Sequence, residues 1–95
     1  MKKQKENKGN RVIIDDLSTT DITYLAEEYI HHDRNRRIFY KKYLRGMTYR
    51  EIADTEYLEE NVVISEDQIA NVLKENLDKV LKHVEIKDGT VRVAR

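Results

Sequence analysis

Seven apolar residues between positions 69 and 84 constrain this chain more than any other feature. Ile69, Val72, Leu73, Leu77, Val80, Leu81 and Val84 follow one another at intervals of three, one, four, three, one and three. That is the rhythm of one face of an α-helix, and a stripe this long needs a partner surface to cover it. Ser65-Glu66-Asp67-Gln68 supplies the start. The Ser65 hydroxyl is placed to accept the Gln68 amide while the Gln68 side chain reaches back to the Ser65 amide. A 95-residue chain buries one modest core, so the rest must assemble around this helix.

The preceding segments read as shorter helices with defined ends. Ser18-Thr19-Thr20-Asp21 offers side-chain oxygens to the orphan amides of a first turn, and Ile22, Leu25, Ala26, Tyr29 and Ile30 follow at helical spacing. After His31-His32, Asp33 is the expected N-cap of a second helix over Arg34 to Arg45, with Ile38, Phe39, Tyr43 and Leu44 inward. Gly46 suits the left-handed position that closes a helix, because a Cβ is penalised there. Thr48-Tyr49-Arg50-Glu51 is a second capping box and starts a third helix, with Ile52 and Ala53 inward and a fade expected near Tyr57-Leu58. Glu59-Glu60-Asn61 is the turn candidate, with Val62-Val63-Ile64 apolar enough to be pinned on the core.

Both ends of the chain change character. Residues 1–10 are polar and read as a disordered basic tail, and Arg11-Val12-Ile13-Ile14 is β-branched enough for one strand. Val84, Ile86, Val91 and Val93 alternate around Asp88-Gly89, the signature of a type I′ hairpin. Two such strands are marginal alone, and Val12-Ile13-Ile14 is the obvious third. The expected fold is mainly α: a helix-turn-helix bundle of about four helices with a short C-terminal β-hairpin, in one domain spanning 11–95.

With no cysteine, disulfides and thiolate metal sites are ruled out. No apolar run approaches the roughly 20 residues that span a bilayer, and no apolar segment of signal-peptide length follows the basic first residues. The expectation is a cytoplasmic protein with no membrane partner. Hydrophobic and charged residues stand at 39% and 38% with zero net charge, which taken alone argues against nucleic acid. The charges are sorted into blocks, however. Arg34, Arg36, Arg37, Lys41, Lys42, Arg45 and Arg50 lie in a stretch without an acid, while acids gather in Asp15–Glu28 and Glu51–Asp67. No cofactor loop, no metal set and no nucleophile with a base is visible; His31-His32 with Asp33 lacks a second ligand cluster, and no enzymatic activity is expected.

Two capped helices in succession, the second long and amphipathic, form the layout of a helix-turn-helix reader of double-stranded DNA. With the stripe on the core, Asp67, Gln68, Asn71, Lys74, Glu75 and Asp78 face outward. Gln68 and Asn71 carry amides able to pair with adenine, and Lys74 serves guanine or phosphate, so these three are the candidate base readers. For Gln68 the alternative is that it only completes the capping box; for Asn71 and Lys74 it is ordinary solvated surface. Thr48, Tyr49 and Arg50 occupy the start that would meet the phosphate backbone. Arg34, Arg36, Arg37, Lys41, Lys42 and Arg45 are the other phosphate candidates. The alternative for them is helix solvation.

The run Arg37-Ile38-Phe39 through Tyr43-Leu44-Arg45-Gly46-Met47-Thr48-Tyr49-Arg50-Glu51-Ile52-Ala53, then Ser65 through Leu77, resembles region four of bacterial sigma factors. It is equally similar to the small sigma-like regulators of phages and mobile elements. The resemblance covers about residues 34 to 84 and implies transcriptional regulation through promoter or operator DNA. One departure stands out. Asp54 to Ile64 separate the Ile-Ala pair from the Ser cap by several residues more than the family pattern, so the third helix is extended or the turn enlarged. A homodimer is expected, since two-fold pairing doubles a small site. Lys87, Arg92 and Arg95 on the hairpin would touch phosphate if it acted as a wing. The alternative, a hairpin closing the core or a dimer interface, is favoured because the family resembled carries no wing. Two other functions remain open: a protein-interaction module of the same fold that docks on RNA polymerase or inhibits a host factor, and a small DNA-docking subunit of a packaging machine.

Overall fold

The computed structural model describes residues 14–94. Four helices and one hairpin follow in chain order: α1 (Thr19–Tyr29), α2 (Asp33–Tyr43), α3 (Tyr49–Glu60), α4 (Glu66–Leu81), β1 (Val84–Lys87) and β2 (Thr90–Val93). The chain is mainly helical with a short antiparallel C-terminal hairpin, as its periodicity requires.

Each helix starts where side-chain chemistry provides for it. Ser18 Oγ accepts the Asp21 amide at 3.1 Å and opens α1. Thr48 and Glu51 exchange both capping-box bonds, at 3.1 and 2.9 Å, and Ser65 and Gln68 do the same at the head of α4. The exception is α2. Its N-cap is His32, with no side-chain cap bond, and Asp33 is already helical. The Asp33 carboxylate instead accepts from Arg36 Nη2 at 2.8 Å, while Arg36 Nη1 donates to the Ile30 carbonyl at 2.8 Å. One guanidinium thus closes the end of α1 and steadies the start of α2.

Helix ends follow one device used twice. Gly46 sits at φ +68° and the Met47 amide donates to the Lys41 carbonyl at 3.0 Å. Asn61 sits at φ +57° and the Val62 amide donates to the Glu56 carbonyl at 3.0 Å. Asparagine is among the few non-glycine residues that tolerate this conformation. α3 therefore runs through the expected fade at Tyr57-Leu58 to Glu60, and the enlarged turn shrinks to Asn61–Ser65.

α4 packs on the other three helices and on β1. Ile69, Val72, Leu73 and Val80 of its stripe are buried against Leu25, Ala26, Ile38, Phe39 and Ile52, while Leu77, Leu81 and Val84 are half-buried at the margin. Fully burying such a side chain contributes roughly 1.5–3 kcal/mol. Ile64, at 7% exposure, pins the turn to the same core.

Asp88 and Gly89 both take positive φ, as a type I′ turn demands, and pair Val84 with Val93 and Ile86 with Val91. Among the described residues, the hairpin is supported by helices. β2 packs on α1 and β1 on α4, and Tyr29 stacks on His83 with ring centroids 3.6 Å apart. Of the strand expected over 11–14, only Ile14 lies within the described residues. It is helical with Asp15, accepts the Leu17 amide at 3.2 Å, and is buried. The tail expected over 1–10 lies outside the described residues. Among the described residues, no helix is long and apolar enough to cross a membrane.

Candidate nucleic-acid interface

The starts of α3 and α4 come together despite the long intervening segment. α3 has 12 residues and so rises about 18 Å. Five residues can span up to about 17 Å when extended, so Asn61–Ser65 suffices to lead the chain back beside α3. The outcome is visible at Glu66, the first residue of α4. It lines one shallow depression of about 500 Å³ with Lys42, Thr48, Tyr49 and Arg50. The extra length of α3 is thus taken up by the return, and the two helix starts remain neighbours.

Several features of this depression suit an anion. Each capping box occupies the first and fourth amides of its motif, leaving those of Tyr49 and Arg50, and of Glu66 and Asp67, without an intrahelical carbonyl. Such amides and the helix dipoles carry partial positive charge toward the opening. Lys42 Nζ lies 4.9 Å from the Tyr49 ring centroid and donates to the Met47 carbonyl at 3.4 Å, which fixes the ammonium at the rim. Arg45 and Arg50 are exposed nearby in sequence. The carboxylates of Glu51 and Glu66 oppose this potential.

The outward face expected of α4 is the observed one: Asp67, Gln68, Asn71, Lys74, Glu75 and Asp78 are all exposed. Their chemical readiness differs. Gln68 Oε1 accepts the Ser65 amide at 2.9 Å, so bidentate pairing with a base would break the cap, and only Nε2 remains for reading. The Asn71 amide keeps both its donor and its acceptor for a partner, and Lys74 stands one turn further on.

The basic stretch separates into two groups. Lys42, Arg45, Thr48, Tyr49 and Arg50 lie at or near the opening. Lys41 does not; its side chain is 4% exposed and faces the core, so it is corrected from phosphate contact to structure. Its Nζ donates to Glu56 Oε2 at 2.7 Å and Thr55 Oγ1 at 2.9 Å, with Glu59 at 3.5 Å. Arg37 is corrected likewise. Its Nε and Nη2 clamp both oxygens of Glu56, at 2.8 and 2.5 Å. Arg36 is engaged at the α1–α2 junction, and Arg34 donates Nε and Nη2 to Asn35 Oδ1 at 3.2 and 3.0 Å.

The residue that organises this second group was not singled out from the sequence. Glu56 is fully buried, and burial alone would push its carboxyl up; the bonds from Arg37 and Lys41 outweigh that and hold it below the ordinary value. A signal was present. Glu56 falls four residues after Ile52, on the apolar stripe of α3, whereas Lys41, three after Ile38, is not set apart in this way from Lys42, four after it. Asn76 falls on the α4 stripe in the same way and donates Nδ2 to the Val72 carbonyl at 2.7 Å.

No family model, curated protein or solved structure matches the chain. The acids of α3 and α4 set the electrostatic balance of the surface: Glu51, Asp54, Glu59 and Glu60 on α3, and Glu66, Asp67, Glu75 and Asp78 on α4, outnumber Arg50, Lys74 and Lys79. On these two helices the cations offered to solvent include Arg50 at the depression and Lys74 beside Asn71.

Proposed function

We propose that this protein is a sequence-specific DNA-binding transcriptional regulator of the phage or mobile-element type, acting in the cytoplasm as a homodimer. α3 would rest on the phosphate backbone and α4 enter the major groove, as in the sigma region-four proteins the sequence resembles. One observation carries the reading: two capped helix starts lie side by side at an opening edged by Lys42 and Arg50, and the helix leading away from it exposes Asn71 and Lys74. Phosphate contacts position such a unit and base-edge contacts give it selectivity.

Fluorescence anisotropy on a random duplex at low salt tests the polyanion contact, and selection of duplexes from a random pool tests the reading of sequence. Binding should weaken steeply with salt, and Lys42→Ala and Arg50→Ala should weaken it on every duplex. Absence of binding to any duplex at low salt refutes the proposal. A second reading, a protein-interaction module that docks on RNA polymerase or inhibits a host factor, is favoured by the excess of acid on α3 and α4. It would then stand.

A further inference from the structure

The far end of α3 exposes a cluster that the DNA reading does not use. Tyr57, Leu58 and Val63 are 58%, 78% and 85% exposed and lie within seven residues of one another, although the rest of α3 and the return segment bury Ile52 and Ile64 well. Leu58 stands ten residues after Thr48 along one helix, about 15 Å from the opening. A groove-bound DNA would not cover it. Large apolar side chains exposed this fully within one short stretch are a feature that docking surfaces share.

The charge around the cluster restricts what can cover it. Positions 51 to 73 contain no lysine, arginine or histidine. Asp54, Glu59 and Glu60 surround the apolar group in sequence, the latter two with side chains 51% and 40% exposed. Arg37 and Lys41 approach Glu60 and Glu59 at 3.9 and 3.5 Å, but both cations are already shared with Glu56. Three carboxylates thus face two cations there, with Asp54 in addition, and the cluster keeps a negative rim. A polyanion or an anionic bilayer would be repelled, whereas a basic surface with apolar side chains at helical spacing matches both features.

We propose that the far end of α3 and the return segment dock a basic amphipathic segment of a partner protein, its apolar side chains covering Leu58 and Val63 and its cations meeting Asp54, Glu59 and Glu60. This surface is independent of the DNA reading and would stand if that reading failed.

The test uses the full chain without DNA, with isotope-labelled methyl groups, titrated with a short synthetic helical peptide of leucine and lysine. A peptide with glutamate in place of lysine is the control. Shifts should concentrate on Leu58 and Val63, and weaken with salt. Leu58→Ser with Val63→Ser should loosen binding about tenfold or more. Asp54→Lys, an exposed change that removes no packing, should also loosen it. Three results overturn the proposal: shifts centred elsewhere, equal binding of the glutamate peptide, or unchanged binding by these variants. A dimer in sedimentation that Leu58→Ser and Val63→Ser dissolve would also overturn it, by assigning the surface to a second copy.

Discussion

Glu56→Ala is the substitution that most directly probes how α2 and α3 are held together. The Glu56 side chain is 0% exposed and accepts from Arg37 Nε and Nη2 and from Lys41 Nζ. Truncation leaves the Lys41 ammonium, 4% exposed, without its main partner. Removing one member of a buried pair costs about 3–5 kcal/mol, because the remaining charge is stranded. The lower end applies here. Lys41 keeps Thr55 Oγ1 at 2.9 Å and Glu59 at 3.5 Å, and Arg37, with 29% of its side chain exposed, can turn toward water. A loss of about 3 kcal/mol corresponds to roughly 15 °C in Tm for a domain of this size. Urea unfolding followed by circular dichroism reads the change directly. Lys41→Met should recover part of the loss on the Glu56→Ala background, giving a coupling of about 1 kcal/mol or more. A Glu56→Ala cost below about 1 kcal/mol, or strict additivity with Lys41→Met, would refute the claim that the pair is a buried, mutually dependent unit.

Three further outcomes are expected. The folded Glu56 carboxyl lies below its ordinary value of 4.5, so its contribution to stability is complete above that pH and is lost as pH falls through the lowered folded value; denaturant midpoints measured on either side should show the loss, and Glu56→Gln should remove this part of the acid dependence. Thr48→Ala deletes the α3 cap and should cost about 1 kcal/mol in urea unfolding, whereas Asn61→Gly, at a left-handed position, should cost less than about 0.5 kcal/mol. On a selected duplex, Asn71→Ala and Lys74→Ala should each cost about 1–3 kcal/mol, while Arg50→Ala lowers the salt slope by about 1 on all duplexes; equal losses for Asn71→Ala on selected and random DNA would remove it from base reading.

Local chemistry made much of this molecule legible. The Ser18, Thr48 and Ser65 starts, the Gly46 stop and the Asp88-Gly89 turn are decided by a few atoms each, so residue identity suffices to place them. The α4 stripe fixed which face is buried, and therefore that Asn71 and Lys74 are exposed. Asp33 was misread because Asp at a helix start serves equally as a cap or as a first-turn partner, and Arg36 selects the second role. That α1 and α4 cover the hairpin was not legible, because alternation shows that a strand needs a covering surface without saying which.

Residue identity alone could establish where α1, α3 and α4 begin and where α2 stops, since capping and periodicity act over three or four neighbours. It could not tell a cation that meets solvent from one that meets Glu56, because Arg37 and Lys41 look the same in a basic run as Lys42 and Arg45. Only packing of α2 on α3 divides them, by removing water from one side of the run. Folding in three dimensions also decided that Asn61–Ser65 brings α4 back beside Thr48, a path that depends on Ile64 finding the shared core.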